Sequence, residues 1–407
     1  MKPFFNTQQT TSVSRPDGKG RSCISCGLYK DVITPHMKPY GNFKKKILNI
    51  AEAPGLEEDQ AGRPFQGKTG QLLQRTYKKL GIDLFEDCLN INSCLCRPTD
   101  SKGNNRTPTN QEIENCRHTV LQLIKDVQPH VIVLLGGSAL YSLLGHRWRK
   151  NLGGISKWRG YTIPDRDFNA WLCPTFHPSY IERSDTGGVE EVIWLQDLRQ
   201  MVDCIDTPLP VYKEPVIEVI QDLSVLNNIN SGRVAFDFEK TSLKPHACGH
   251  RIVCCAVADT PDHAWVFMMP DTRRERQPLV NLLANPNVGK MAHNMKFEQA
   301  WSVVRLNQGV ENWLWDSMLA SHILDNRTGI TNLKFQTYVN FGIVDYASSI
   351  ASYLEGDDTN ANSFNKVLDL IKTQDGKDQL LHYCGLDAIY ERRLAEKQME
   401  LIGVLPF

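Results

Sequence analysis

The sequence predicts an α/β protein built as two successive domains, each a sheet flanked by helices. Three observations carry this. The chain has 407 residues, more than one ordinary core organises. In its first half, short apolar strands alternate with helical patterns, which implies a largely parallel sheet covered on both faces. Near the middle, "DTPLPVYKEP" brings three prolines into a short span, the mark of a linker. The expected division is a first domain over residues 1–206, a linker over 207–215 and a second domain over 216–407.

In the first domain, "KKKILNIAEAPG" is a basic step, a short strand and a Pro-Gly turn, and "GQLLQRTYKKLGI" has helical spacing. "DCLNINSCLCRP" reads as a second strand. "NQEIENCRHTVLQLIKDVQP" is an amphipathic helix with Asn110 as its N-cap. "HVIVLLGGSALYSLLG" is a buried strand, a glycine turn and a helix, and "AWLCPT" a further strand. Ligands on such sheets sit at the carboxyl ends of the strands. The loops there are "EAPGLEEDQAGRPFQG", "CRPTDSKGNNRTPT", "GGS" and "FHPSY".

In the second domain, "GRVAFDFEKTSLKP", "HRIVCCAVAD" and "HAWVFMM" read as strands, with helices from about Asn294 onward. Asp237 and Glu239 stand two apart on the first strand, so they share a side. Two carboxylates in an apolar strand are costly unless something binds them, and a pair of divalent cations is the usual answer. A wet acidic edge is the weaker alternative, because the flanking residues are apolar. In "MAHNMKFEQAW", Asn294 and Glu298 share a helix face, as do Tyr383 and Asp387 in "LHYCGLDAIYERRL".

Hydrophobic residues make up 41% and charged residues 23% of the chain, ordinary for a globular protein. No apolar run approaches the ~20 residues of a membrane helix. The start shows no apolar core with a cleavage site, so the expected location is the cytoplasm. Net charge is zero but uneven. Residues 1–206 carry 27 basic and 22 acidic side chains, a net of +5, and the remainder 19 and 24, a net of −5. A mildly basic first half suits a polyanion, although charge scatter alone would produce as much.

Twelve cysteines in a cytosolic chain do not read as a disulfide framework. "CISC" sets Cys23 and Cys26 as a C-x-x-C pair, "SCLC" adds Cys94 and Cys96, and Cys116 follows on a helix. Thiolates from distant segments make a closed centre, and the spacing suits zinc and an iron–sulfur cluster equally.

The ordered motifs "AEAPGLEEDQAGRPFQGKTGQLL", "NINSCLCRP", the helix with Cys116, "VIVLLGGSAL", "FHPSYI" and "IWLQDLRQMV" resemble the family 4 uracil-DNA glycosylases over about residues 20–205. The resemblance implies a three-layer α/β/α domain. It also implies a [4Fe–4S] cluster on Cys23, Cys26, Cys96 and Cys116, with Cys94 a bystander. A target base must leave the duplex to be excised. Phe65 would stack on the flipped ring, and Asn92 would hydrogen-bond its Watson–Crick edge. His177 would stabilise charge on the departing uracil, and Glu52 and Glu58 would orient or activate water or stabilise the sugar cation. The chain departs from the family at Ala51, where glycine is usual.

Asp237, Glu239, the acid after Asn294, and Tyr383 with Asp387 are similar to the three motifs of the DEDDy 3′–5′ exonucleases. "WDSMLASHILD" brings the match close to the proofreading domain of family A DNA polymerases, over about residues 215–400. This implies a ribonuclease H-like (DnaQ-like) fold and two-metal phosphodiester hydrolysis with Mg²⁺ or Mn²⁺. Asp237, Glu239 and Asp387 would hold the metals, Tyr383 would orient the water, and Asn294 would position backbone or substrate. Glu298 stands where the family has Asp and is expected to serve as a second-metal carboxylate with retuned activity. The resemblance places this domain before a polymerase domain that does not follow here, in a phage-like arrangement. The expected partners are DNA, as a single-stranded 3′ end or a uracil-containing strand, and a DNA polymerase subunit. The competing expectation is a non-catalytic DNA-binding scaffold for that polymerase.

Overall fold

The computed structural model describes residues 21–148, 152–184, 187–344, 346–356 and 362–404. The first twenty residues, read above as lacking a secretory signal, lie outside them. The chain forms two compact units, Met1–Leu209 and Pro210–Phe407.

The first unit holds strands β1 (Ile47–Ala51), β2 (Cys88–Asn92), β3 (Val131–Leu135), β4 (Ile163–Asp165) and β5 (Ala170–Thr175). Its helices are α1 (Arg21–Cys26), α2 (Leu56–Ala61), α3 (Lys68–Lys79), α4 (Asn110–Val127), α5 (Gly137–Leu144), α6 (Ile155–Trp158), α7 (Pro178–Arg183) and α8 (Val189–Asp203). The sheet order is β2-β1-β3-β5-β4. All neighbours are parallel except β4, which runs antiparallel to β5. β1, β3 and β5 are buried at every position, as strands covered on both faces must be. Leu73 and Tyr77 of α3 and Trp194, Leu198 and Met201 of α8 join Ile47, Val131, Val133 and Cys173 in one core. A buried polar network sits beside it. Asn49 of β1 donates to Asn90 Oδ1 of β2 and accepts from Tyr77 Oη, each at 2.8 Å. This bonding favours one register between β1 and β2 and one seating of α3, since a slip would leave buried polar groups unpaired. The N-cap of α4 is Thr109 rather than the expected Asn110. Its hydroxyl and Glu112 form a reciprocal capping box, the stronger arrangement.

The second unit holds β6 (Val216–Val219), β7 (Gly232–Lys240), β8 (Ile252–Thr260), β9 (His263–Met268), β10 (Val288–Ala292) and β11 (Trp313–Asp316). Its helices are α9 (Arg273–Ala284), α10 (Met295–Trp301), α11 (Ser317–Leu324), α12 (Leu333–Phe341), α13 (Ala351–Leu354), α14 (Val367–Leu370) and α15 (Gln374–Ile402). The order is β11-β10-β7-β8-β9-β6, with β7, β8 and β9 antiparallel and the remaining pairs parallel. The expectation of helices alone after Asn294 misses β11, which is only four residues long and half-buried.

The period-two alternation of β7 explains its chemistry. Phe236 and Phe238 enter the core with α9 and Trp301. Ala235 faces the opposite core, with α15, and Asp237 and Glu239 share that side. There, small residues (Ala235, Cys254, Ala256, Ala258) let the 29-residue α15 lie close on the sheet. Among the described residues no helix is long and apolar enough to cross a membrane.

Candidate active sites and cysteine centre

In the first unit, the residues of interest gather where β1, β2, β3 and β5 end. Glu52 follows β1, and its Oε2 accepts from Ser138 Oγ at 3.0 Å. Burial raises its carboxyl, opposed by that hydrogen bond and by Arg183. Asn92 closes β2, is 5% exposed, and has its Nδ2 4.0 Å from Met37 Sδ. A thioether is a weak acceptor, so the amide keeps its capacity for a ligand. Phe65 is buried and sits at φ 60°. Its backbone lies so close to α3 that a Cβ at Gly70 would stand 2.3 Å from the Phe65 carbonyl carbon. Gly70 is therefore required for Phe65 to sit where it does.

The position of Glu58 corrects the expectation that it handles water. Its Oε1 accepts from the N–H groups of Gln66 and Gly67, each at 2.8 Å, and its Oε2 from that of Gly55 at 3.0 Å. Both oxygens are spent on the loop that carries Phe65. Glu58→Ala is expected to cost about 1 kcal/mol, the loss of hydrogen bonds to three partly buried donors. Urea unfolding should report this loss, and an unchanged midpoint would contradict it.

His177 caps α7. Its Nδ1 accepts from Ser179 N–H at 3.2 Å and lies 2.7 Å from Ser179 Oγ. That acceptor role places the proton of the neutral ring on Nε2. Burial, and then Arg183, push its pKa down from 6.5 to about 4. The folded value is depressed, so the unfolded chain takes up a proton first as pH falls. Stability is full above about 6.5 and is lost as pH drops toward 4. Thermal unfolding across that range should show a shallower slope in His177→Asn than in the wild type. An equal slope would contradict the lowered pKa of this ring.

The thiols of Cys23 and Cys26 on α1, Cys96 after β2 and Cys116 on α4 line one small cavity, together with Cys94 and His36. None is in a disulfide. Backbone N–H groups point at two of the sulfurs, His36 N at Cys96 Sγ (3.3 Å) and Leu95 N at Cys116 Sγ (3.5 Å). Soft sulfur donors with N–H groups aimed at them suit an iron–sulfur cluster or another thiophilic metal. Cys94 Sγ donates to the Cys96 carbonyl at 3.4 Å.

In the second unit, a cavity of about 680 Å³ is lined by Asp237, Glu239, Lys240, Tyr383 and Asp387, among others. Ligand atoms of Asp237, Glu239 and Cys384 all lie within 4.8 Å of one another. Burial raises both carboxyls, with Lys240 opposing it, and brings Glu239 to about 7. Asp387 Oδ1 accepts from Lys334 Nζ and Tyr346 Oη. Three carboxylates around one cavity form a hard oxygen donor set suited to Mg²⁺ or Mn²⁺.

Glu298 does not join them, which corrects its expected placement. It is 2% exposed and does not line the cavity. Its Oε1 accepts from Lys240 Nζ at 2.7 Å, and its Oε2 has no partner. Asn294 sits at φ 77°, the left-handed turn from β10 into α10, where asparagine is tolerated. Its backbone N–H donates to Asp316 Oδ1 at 3.1 Å. The Asp316 carboxylate also accepts from Met295, Met318 and Leu319, so it ties β11 to two helix starts. Sequence reasoning missed Lys240 and Glu391. Glu391 stands one turn beyond Asp387, is 1% exposed, and has an unpartnered Oε1. The i, i+4, i+8 spacing from Tyr383 was its only signal.

Comparison with known proteins gives each unit a family. The uracil DNA glycosylase superfamily matches residues 38–199. The type-4 uracil-DNA glycosylase of Thermotoga maritima is 35% identical over 185 residues, 44% of this chain and 88% of that protein. The chain belongs to the type-4 uracil-DNA glycosylase family. It does so through its first unit. The second unit is a 3′–5′ exonuclease domain, and the 3′–5′ exonuclease family model matches residues 217–402. The DNA polymerase of Bacillus phage SP01 is 24% identical over 329 residues, 72% of this chain but 34% of that protein. Brucella melitensis NrnC with bound Mg²⁺ is 18% identical, covering 47% of this chain and 83% of that one, at a TM-score of 0.34, a likeness too slight to weigh.

Proposed function

We propose that the chain processes DNA at two centres, removing nucleotides from single-stranded 3′ ends in the exonuclease unit and excising uracil in the glycosylase unit. The observation that carries the first activity is the cavity where Asp237 and Glu239 of β7 face Tyr383 and Asp387 of α15. Asp237, Glu239 and Asp387 would hold divalent metal, which when bound would help generate a nucleophile from water and stabilise the leaving 3′ oxygen. Tyr383 Oη orients the attacking water. Lys334, with its side chain 17% exposed, swings toward solvent to free Asp387.

In the glycosylase unit, Phe65 stacks on a flipped base and the Asn92 amide reads its edge. The Nε2–H of His177 donates to the oxygen on which the leaving uracil gathers charge. Glu52, steadied by Ser138, faces the sugar side. Cys23, Cys26, Cys96 and Cys116 would hold a [4Fe–4S] cluster that ties α1 to α4. The two families joined in one chain, and the similarity to a phage polymerase, support a DNA polymerase as partner and a cytoplasmic setting.

A specific observation favours a second reading, an attenuated, mainly DNA-binding subunit: Glu298 is withdrawn into an ion pair. Incubating a 5′-labelled plain oligonucleotide with Mg²⁺ or Mn²⁺ separates the two. A ladder shortening from the 3′ end supports the exonuclease. Tight binding without any ladder supports the scaffold.

A further inference from the structure

Two lysines approach the carboxylates of the exonuclease unit, and they differ in kind. Lys334 lies on α12, its side chain 17% exposed, so it can leave Asp387 for solvent. Lys240 is the last residue of β7, directly after Glu239, with its side chain 8% exposed. Its Nζ is 2.7 Å from Glu298 Oε1. It is also 4.6 Å from the centre of the Phe297 ring and 5.9 Å from that of Phe238, so aromatic faces hold the cation as well. Lys240 lines the cavity and Glu298 does not. The ammonium therefore stands between the cavity and the carboxylate that spacing alone would assign to a cation.

A buried carboxylate needs a counter-charge. In a two-metal site the second cation supplies it. Here the chain supplies it covalently, from the strand that carries Asp237 and Glu239. Glu298 Oε2 is buried and unpartnered, while its Oε1 is held by Lys240, which lines the cavity.

We infer that Lys240, fixed by Glu298, is an internal countercation taking the place of one divalent cation, so that the exonuclease cavity binds a single divalent cation through Asp237, Glu239 and Asp387. Glu298 is then a positioning residue for Lys240 and not a metal ligand. This rests on the exonuclease reading above.

The test counts metal rather than turnover. The full chain is titrated with Mn²⁺ in the presence of a single-stranded oligonucleotide ending in a non-hydrolysable phosphorothioate, and bound Mn²⁺ is measured by equilibrium dialysis. Asp237→Ala gives the background to subtract. The expected result is one Asp237-dependent Mn²⁺ in the wild type and two in Lys240→Met, where Glu298 is released to bind. The double variant Lys240→Met, Glu298→Leu should return to one. Two such sites in the wild type, or none, overturn the inference, and this arm needs no variant of Lys240 to fold. An unchanged count of one in a folded Lys240→Met overturns it equally. Failure of the exonuclease reading looks different: one Mn²⁺ bound, yet no 3′ ladder on a plain strand.

Discussion

Asp237→Ala abolishes the 3′ ladder, lowering nucleotide release by more than about 100-fold, since a metal-site carboxylate matters at least as much as the partners behind it. The reason is positional. Asp237 lies on the α15 side of β7, its carboxylate within 4.8 Å of the Glu239 carboxylate and the Cys384 thiol, and neither Asp387 nor Glu298 is placed to replace it. Asp387 is engaged by Lys334 and Tyr346, and Glu298 by Lys240. The same substitution removes a half-buried carboxyl whose ionisation is opposed by desolvation and neighbouring acids, so the unit is expected to unfold at the same or a higher temperature. Lost activity with retained or raised stability separates a metal site from a structural acid. A variant that keeps its ladder would remove Asp237 from the chemistry.

If the four thiols hold the proposed cluster, Cys96→Ser is expected to strip its visible absorbance and loosen the first unit. Cys96 joins the segment after β2 to α1 and α4 through a shared cavity, and Leu95, beside it, donates its N–H to Cys116 Sγ. Metal held by distant segments is folding free energy, so its loss should lower the unfolding temperature of the glycosylase unit and leave the exonuclease ladder intact. Cys94→Ser is the control, because Cys94 lies outside the proposed ligand set, and it should keep the colour. A colourless wild type with bound zinc would replace the cluster by a zinc centre on the same ligands. Full colour in Cys96→Ser would overturn the ligand set.

The parts of these sites that could be read in advance are those set by local geometry. A spacing of two on an apolar strand puts Asp237 and Glu239 on one side, and a spacing of four on a helix does the same for Tyr383 and Asp387. Strand ends in a parallel sheet bring Glu52, Asn92 and His177 to one rim. What could not be read depends on partners distant in sequence. The place of Glu298 is decided by Lys240, 58 residues earlier, and no spacing rule couples a strand end to a later helix. Glu58 was expected to act on water or the sugar cation, yet the Gly/Pro-rich loop folds back so that three N–H groups converge on it. Glu391 was hidden because a glutamate among arginines in "YERRL" reads as a surface charge until α15 is seen to be buried along that face. The short strand β11 was missed because four residues show no clear period.

The account stands on two separable active sites in one chain. The most direct test incubates one 5′-labelled single strand with an internal uracil with the wild type, Asp237→Ala and Asn92→Ala, followed by alkali. The wild type should give both a 3′ ladder and an alkali-sensitive break at the uracil. Asp237→Ala should keep the break and lose the ladder, and Asn92→Ala should do the reverse. Tight binding of the strand by the wild type with neither product would contradict the account.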